Sequence, residues 1–189
     1  KHATRCGCFA HVRRKFVDAL PDDKSLLPTS KAVIGVEWCN RLFNLEREYD
    51  GLNEKGEQVN TPLTPAEKHK QRQERSKPVL DGFFAWLASL NPSSGSNLAK
   101  AVQYAKNERT YLYRFLENPE IPIDNNRAEN AVRPFTVGRK NWLFSDSVSG
   151  AEASAALYSL AATSVTNGLN AEAYFTKLFS SEHPLMPWM

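Results

Sequence analysis

The chain has 189 residues, 41% of them apolar, and carries 24 Lys and Arg against 21 Asp and Glu, a formal net charge of +3. That is one ordinary domain, or one domain with an appendage, long enough to bury a core. With 11 Pro and 9 Gly, and no run near the roughly 20 apolar residues of a membrane span, the composition argues against disorder, collagen and a membrane protein.

From the N-terminus, Thr4 to Ala10 reads as a short strand, with Cys6 and Cys8 on one side and Arg5, Gly7 and Phe9 on the other. One strand is not a sheet. Its partners are therefore expected upstream of Lys1, in keeping with the missing initiator Met. Beyond it the periodicity is helical, and the punctuation separates about six or seven helices. Pro21 and Pro28 divide a first helix, near 10–20, from a second near 30–49, whose stripe is Ile34, Trp38, Leu42, Leu45 and Tyr49. Asp50-Gly51 through Pro62 and Pro65 reads as a loop, with Asp22-Asp23 as an earlier cap.

Pro78 stands where a long helix has to break or restart, followed by the stripe Val79, Leu80, Phe83, Leu87 and Leu90. Asn91-Pro92 ends that segment and Ser96 or Asn97 caps the next, a helix over 98–116 with Leu98, Ala101, Val102, Ala105, Leu112 and Leu116 inward. Asn118-Pro119 and Pro122 form a linker, and a further helix opens near 125. Residues 153–165 present Ala153, Ala156, Leu157, Leu160, Ala161 and Val165; Asn167-Gly168 is a C-cap signature, and Ala171, Tyr174, Phe175, Leu178 and Phe179 follow. These stripes are all expected to be core.

Charge is clustered. Lys1, Arg5, Arg13, Arg14 and Lys15 stand without an acid among residues 1–15, and Arg127, Arg133, Arg139 and Lys140 are opposed only by Glu129. Between them lies an acidic run, Glu46, Glu48, Asp50, Glu54 and Glu57. Basic clusters of this kind attract phosphate backbones, and they also make ordinary solvated faces. Cys6, Cys8 and Cys39 are too few, and odd in number, for a disulfide framework, which fits a reducing cytoplasm. Cys6, Cys8 and His11, with His2 nearby, match no common zinc spacing, so buried thiols are the favoured reading.

The densest polar stretch is Ile123-Asp124-Asn125-Asn126-Arg127-Ala128-Glu129-Asn130-Ala131-Val132-Arg133-Pro134. Within it Asn126 and Glu129 have capping-box spacing, and Glu129 and Arg133 have ion-pair spacing; catalysis is the competing role for Glu129. Downstream, Arg139 and Lys140 adjoin Trp142 and Phe144, a pattern suited either to phosphate contact with base stacking or to a turn anchored in the core. There is no Gly-rich phosphate loop, nucleophile elbow or paired metal-binding histidine motif.

Four blocks occur in the order seen in the insertion-sequence-sixty-six transposases, which the chain resembles over nearly its whole length. They are Gly7-Cys8-Phe9-Ala10-His11-Val12-Arg13-Arg14-Lys15-Phe16, Arg75-Ser76-Lys77-Pro78-Val79-Leu80-Asp81, residues 123–129, and Gly138-Arg139-Lys140-Asn141-Trp142-Leu143-Phe144. The resemblance implies an Asp-Asp-Glu transposase, with an RNase H-like sheet carrying two aspartates and a following helix carrying the glutamate. Three carboxylates hold two divalent cations about 4 Å apart, so that one activates the attacking oxygen and the other stabilises the leaving one.

On this chain the resemblance maps the glutamate, as catalytic residue and metal ligand, onto Glu129, and both aspartates ahead of the Gly-Cys-x-Ala-His block. The chain is then the C-terminal half of a catalytic region: a mainly α fragment of an RNase H-like α/β core, with at most one or two short strands near its N-terminus. Residues 1–19 supply the last strand and following helix, 20–120 a helical insertion, and 121–189 the glutamate helix and C-terminal helices. The implied full-length parent cleaves and joins DNA ends with Mg²⁺ or Mn²⁺, as a homo-oligomer in the bacterial cytoplasm near the nucleoid, without a membrane or a small-molecule substrate. The fragment alone is expected to hold no metal and to be inactive. Arg13, Arg14, Lys15, Arg127, Arg133, Arg139 and Lys140 are the expected DNA-phosphate contacts. Two readings compete with this one: a non-catalytic helical DNA-binding or assembly module from a split or decayed element, and a Cys-His metal protein.

Overall fold

Helical periodicity is realised along nearly the whole chain. A computed structural model describes residues 4–142, 145–183 and 185–188, apart from the side chains of residues 141 and 142. It is mainly α: α1 (Phe9–Val17), α2 (Lys31–Tyr49), α3 (Pro65–Gln71), α4 (Lys77–Ser89), α5 (Asn97–Asn107), α6 (Arg109–Leu112), α7 (Asn126–Trp142), α8 (Val148–Thr166) and α9 (Ala171–Ser180). Two units are compact in themselves, Lys1–Asn125 and Asn126–Met189.

In the first unit, α1 packs on α2 and α5, and α2 on α4. Phe9, Val12 and Phe16 enter a core with Leu42, Leu80, Phe83 and Leu87, where the Phe16 and Phe83 rings meet edge to face at 6.1 Å. The buried face of α2 is Ala32, Gly35, Cys39, Leu42, Glu46 and Tyr49, rotated from the expected stripe, so Ile34, Trp38 and Leu45 are only half-buried. The rotation has two causes. Gly35 lies under the Phe16 ring, so close that a Cβ there would stand 2.2 Å from it. Glu46 is buried because a cation is buried with it.

That cation is Arg72, which has no exposure to solvent. Its Nε and Nη2 donate to the two Glu46 carboxylate oxygens at 2.9 and 2.6 Å. Its remaining N–H groups donate to the carbonyls of Phe115, Asn118 and Ile121 at 2.5, 2.8 and 3.0 Å. All five guanidinium donors are thereby satisfied. Two further residues of the acidic run are paired nearer the surface, Glu48 with Arg75 at 2.6 Å and Asp50 with Lys68 at 2.6 Å.

The expected break at Pro78 takes another form. Between α3 and α4 the residues Arg72–Ser76 form a π-helical turn, and helical dihedrals continue through Lys77. Proline has no N–H and its ring crowds the carbonyl four residues back; a wider turn just upstream accommodates both without ending the helix. Thr64 caps α3 in a capping box with Glu67. Ser96 caps α5, accepting from the Ala99 N–H at 3.1 Å.

Several expectations are corrected. Residues 4–8 form no ladder, and the one bridge among the described residues joins Leu52 and Gln58. The segment is instead held by its backbone, with Gly7 N–H donating to Tyr111 O at 2.9 Å and Phe9 N–H to Ile123 O at 3.0 Å. Cys6 is exposed and Cys8 half-buried; Cys39 alone is a buried thiol, pushed up to about 12 by loss of water around its thiolate. The helix expected over 98–116 is three pieces, α5, α6 and a 3₁₀ turn at Arg114–Leu116.

In the second unit the Phe135 ring of α7 meets Tyr158 of α8 edge to face at 5.1 Å, and α8 packs on α9. A Schellman motif closes α8: Gly168, at φ +76°, donates to Val165 O, and Leu169 N–H to Ser164 O. The stripe expected as core is largely outside, with Leu157 46%, Val165 62% and Phe179 74% exposed. Three helices leave too much outer surface for every apolar position to be covered from within.

Replacing Arg72 with Met is expected to lower unfolding free energy by about 3–5 kcal/mol, because it removes both hydrogen bonds to the buried Glu46 carboxylate and leaves it only Lys68 at 3.4 Å; a denaturant titration showing under about 1 kcal/mol would refute the assignment. Gly35→Ala is expected to cost about 1–3 kcal/mol in the same titration, since the new methyl overlaps Phe16; an unchanged midpoint would contradict that packing.

Candidate functional site

Glu129 occupies the first turn of α7 and is half-buried. Backbone N–H groups and the positive end of the helix dipole converge on that turn, a setting that favours anionic groups. Arg133 and Lys140, four and eleven residues on, fall on the same helical face as Glu129 and are exposed. Arg127 and Arg139 are exposed on other faces of α7. Pro134 lies inside the helix and donates no N–H, while the Thr136 hydroxyl donates to Arg133 O at 2.9 Å. The face thus presents one carboxylate, a charge that attracts divalent cations, and two cations, charges that attract phosphate.

Arg13, Arg14 and Lys15 belong to the first unit. Arg14 and Lys15 are exposed at the last turn of α1. Arg13 is half-buried, and its Nε donates to Asn40 Oδ1 at 2.7 Å. So the basic residues expected to contact DNA form two groups, one on α1 and one on α7. Lys1, His2 and Phe144 lie outside the described residues, as does the side chain of Trp142, so the stacking or anchoring role read for Trp142 and Phe144 does too.

Three other carboxylates are engaged in structural contacts. Asp23 accepts from the Ser25 N–H at 2.9 Å, which lowers its carboxyl below the usual aspartate value. Asp81 is bound by Lys77 at 2.7 Å and accepts from the Tyr113 hydroxyl at 2.6 Å; these bonds hold its carboxyl down. Burial first, and the Asp81 carboxylate second, push the Tyr113 phenol up to about 12. The Arg75 guanidinium likewise lowers Glu48. Among the described residues, no group of three or more His, Cys, Asp and Glu side chains is placed to hold a metal ion. No helix there is long and apolar enough to cross a membrane.

A feature missed in the sequence is the polar face of α2. Asn40, Asn44 and Arg47, spaced i, i+4 and i+7, line a cleft of about 410 Å³ with Arg13, Phe43 and Glu54. The spacing was visible; Arg13 and Glu54 join it only through tertiary packing.

A family model described as "Transposase IS66 family" matches residues 1–153, a span that includes Glu129 and every basic residue named above. Three curated proteins of Sinorhizobium fredii (strain NBRC 101917 / NGR234) are similar, each named only as an uncharacterized protein. Protein y4qI is 33% identical over 193 residues, covering 96% of this chain and 33% of its own. Protein y4hP is 27% identical over 199 residues, covering 96% and 34%, and y4jD 32% over 169 residues, covering 88% and 30%. This chain therefore spans about a third of the length of these relatives. No solved structure matches it. With the family model covering most of its residues, the chain belongs to the IS66 transposase family.

Proposed function

We propose that this chain is the C-terminal part of the catalytic region of a DNA transposase, with Glu129 as the third acidic residue of an Asp-Asp-Glu site. The observation that carries this reading is family membership across residues 1–153, which encloses the helix bearing Glu129. In the full-length protein the two aspartates come from an RNase H-like sheet preceding this chain, and residues 4–17 adjoin it.

The described residues do not by themselves fit a metal pair, since Glu129 belongs to no cluster of three potential ligands. Mg²⁺ or Mn²⁺ in the assembled site would supply activation of the attacking oxygen and stabilisation of the leaving oxygen. This chain contributes one hard oxygen ligand from Glu129, and cations on the same helical face that hold the adjoining phosphates. Arg133 and Lys140 are best placed for that work; Arg127 and Arg139 on the same helix, and Arg14 and Lys15 on α1, make further phosphate contacts. The full-length protein acts on DNA in the bacterial cytoplasm as a homo-oligomer, and the isolated chain is inactive.

In the full-length protein, Glu129→Gln is expected to reduce Mn²⁺-dependent nicking and joining of labelled element ends by more than the roughly 100-fold that even outer-shell changes at metal sites cost. Retained activity with unchanged circular dichroism would exclude Glu129 from the site. For this chain alone, Arg133→Gln with Lys140→Gln is expected to flatten the salt dependence of duplex binding by about 1.8 in log–log slope, about 0.9 for each lost phosphate contact. An unaltered slope would remove both from the interface.

A further inference from the structure

In the first unit Arg5, Lys68, Lys70, Arg72, Arg75 and Lys77 each meet a carboxylate within ion-pair distance. Arg13 and Arg47 do not: their hydrogen-bonding partners are amides. Arg13 Nε donates to Asn40 Oδ1 at 2.7 Å, and Arg47 Nη2 donates to Asn44 Oδ1. An amide oxygen orients a guanidinium without neutralising it, so both side chains are held in place with full charge. Each also retains N–H donors beyond those bonds, because a guanidinium has five.

Both arginines line the same cleft of about 410 Å³, between α1, α2 and the loop carrying Glu54. The opposite face of α2 is buried, so the two amides and Arg47 stand on a rigid support rather than a mobile loop. Phe43, packed against the core, gives the cleft an apolar wall. Glu54 is the one acidic residue lining it, leaving an excess of one positive charge. Two pre-oriented guanidinium groups with spare donors and an apolar wall suit a tetrahedral oxyanion joined to a sugar.

We propose that this cleft is a phosphodiester-binding site, in which Arg13 and Arg47 grip a backbone phosphate of DNA through residues other than those of the Glu129 helix. The proposal rests on the DNA-processing reading above. Arg47 makes the second contact to the phosphate, Asn40 and Asn44 are positioning residues, and Glu54 weakens the site. A carboxylate facing the bound phosphate sets the affinity below its ceiling, which makes removal of that carboxylate a gain-of-binding test.

The test is binding of a fluorescein-labelled DNA duplex of arbitrary sequence to the full 189-residue chain, by anisotropy across a salt series. Arg47→Gln is expected to weaken binding about tenfold near 50 mM salt and to lower the log–log slope by about 0.9. Glu54→Gln is expected to tighten it about two- to threefold, a change that misfolding does not produce. Arg41→Gln removes an exposed charge from the same helix outside the cleft and should leave both readings almost unchanged. Equal behaviour of the Arg47 and Arg41 variants, or no tightening by Glu54→Gln, overturns the proposal. So does inorganic phosphate shifting the Arg47 Nε–H resonance while Arg47→Gln leaves duplex binding intact, which would mark a site for the free ion. Binding that depends on Arg133 and Lys140 but not on Arg47 or Glu54 would sink this cleft while sparing the DNA reading. A wild-type chain that binds no duplex would overturn the cleft; the Glu129→Gln assay on the full-length protein separately decides the transposase reading.

Discussion

A guanidinium buried with no water must have every N–H met by protein, and Arg72 imposes that demand on two separate stretches of chain. Glu46 answers from α2, and the carbonyls of Phe115, Asn118 and Ile121 answer from the segment after α6. Without Arg72 the carbonyls of Phe115 and Ile121 would lose their donor, and the buried Glu46 carboxylate would keep only Lys68 at 3.4 Å. The cation therefore acts as an internal cross-link between a helix and an irregular segment that has few ladder bonds of its own. Because Ile123 also accepts from Phe9 N–H, that irregular segment is fixed at both ends.

The π turn belongs to the same arrangement. Arg72–Ser76 is both the place where the helix widens ahead of Pro78 and the source of the buried cation. Ser76, also buried, lies 3.2 Å from the Tyr49 hydroxyl, which donates to Gln71 O at 3.2 Å. A local departure from α geometry thus coincides with a cluster of buried hydrogen bonds around Arg72, Ser76 and Tyr49. The stability that such a departure lacks locally is supplied by tertiary contacts.

Much of the helical architecture was legible in the sequence because apolar spacing, Pro and capping residues act locally. The start of α2 after Ser30, the cap at Ser96 and the closure at Asn167-Gly168 all follow from short-range chemistry. What was not legible depends on residues far apart in the chain. The inward face of α2 runs through Gly35 and Glu46, neither of which looks apolar, because one admits the Phe16 ring and the other meets Arg72. Thr4–Ala10 has a strand pattern, yet its partners are the backbone of Tyr111 and Ile123 rather than another strand. For the site, the block around Glu129 could be read from its residues, whereas the cleft of Arg13 and Arg47 needs α1 and α2 to be side by side.

The contact between Gly35 and Phe16 ties two positions into one unit of inheritance. With the ring seated where a Cβ would stand, any side chain at position 35 is admitted only if position 16 first becomes smaller. A smaller residue at 16 alone opens a void against Phe83. Each single step is costly and the paired change is less so, so sequence drift at this helix crossing has to proceed by compensation. Divergent versions of the fold then carry either a glycine under a ring or a small side chain under a smaller partner.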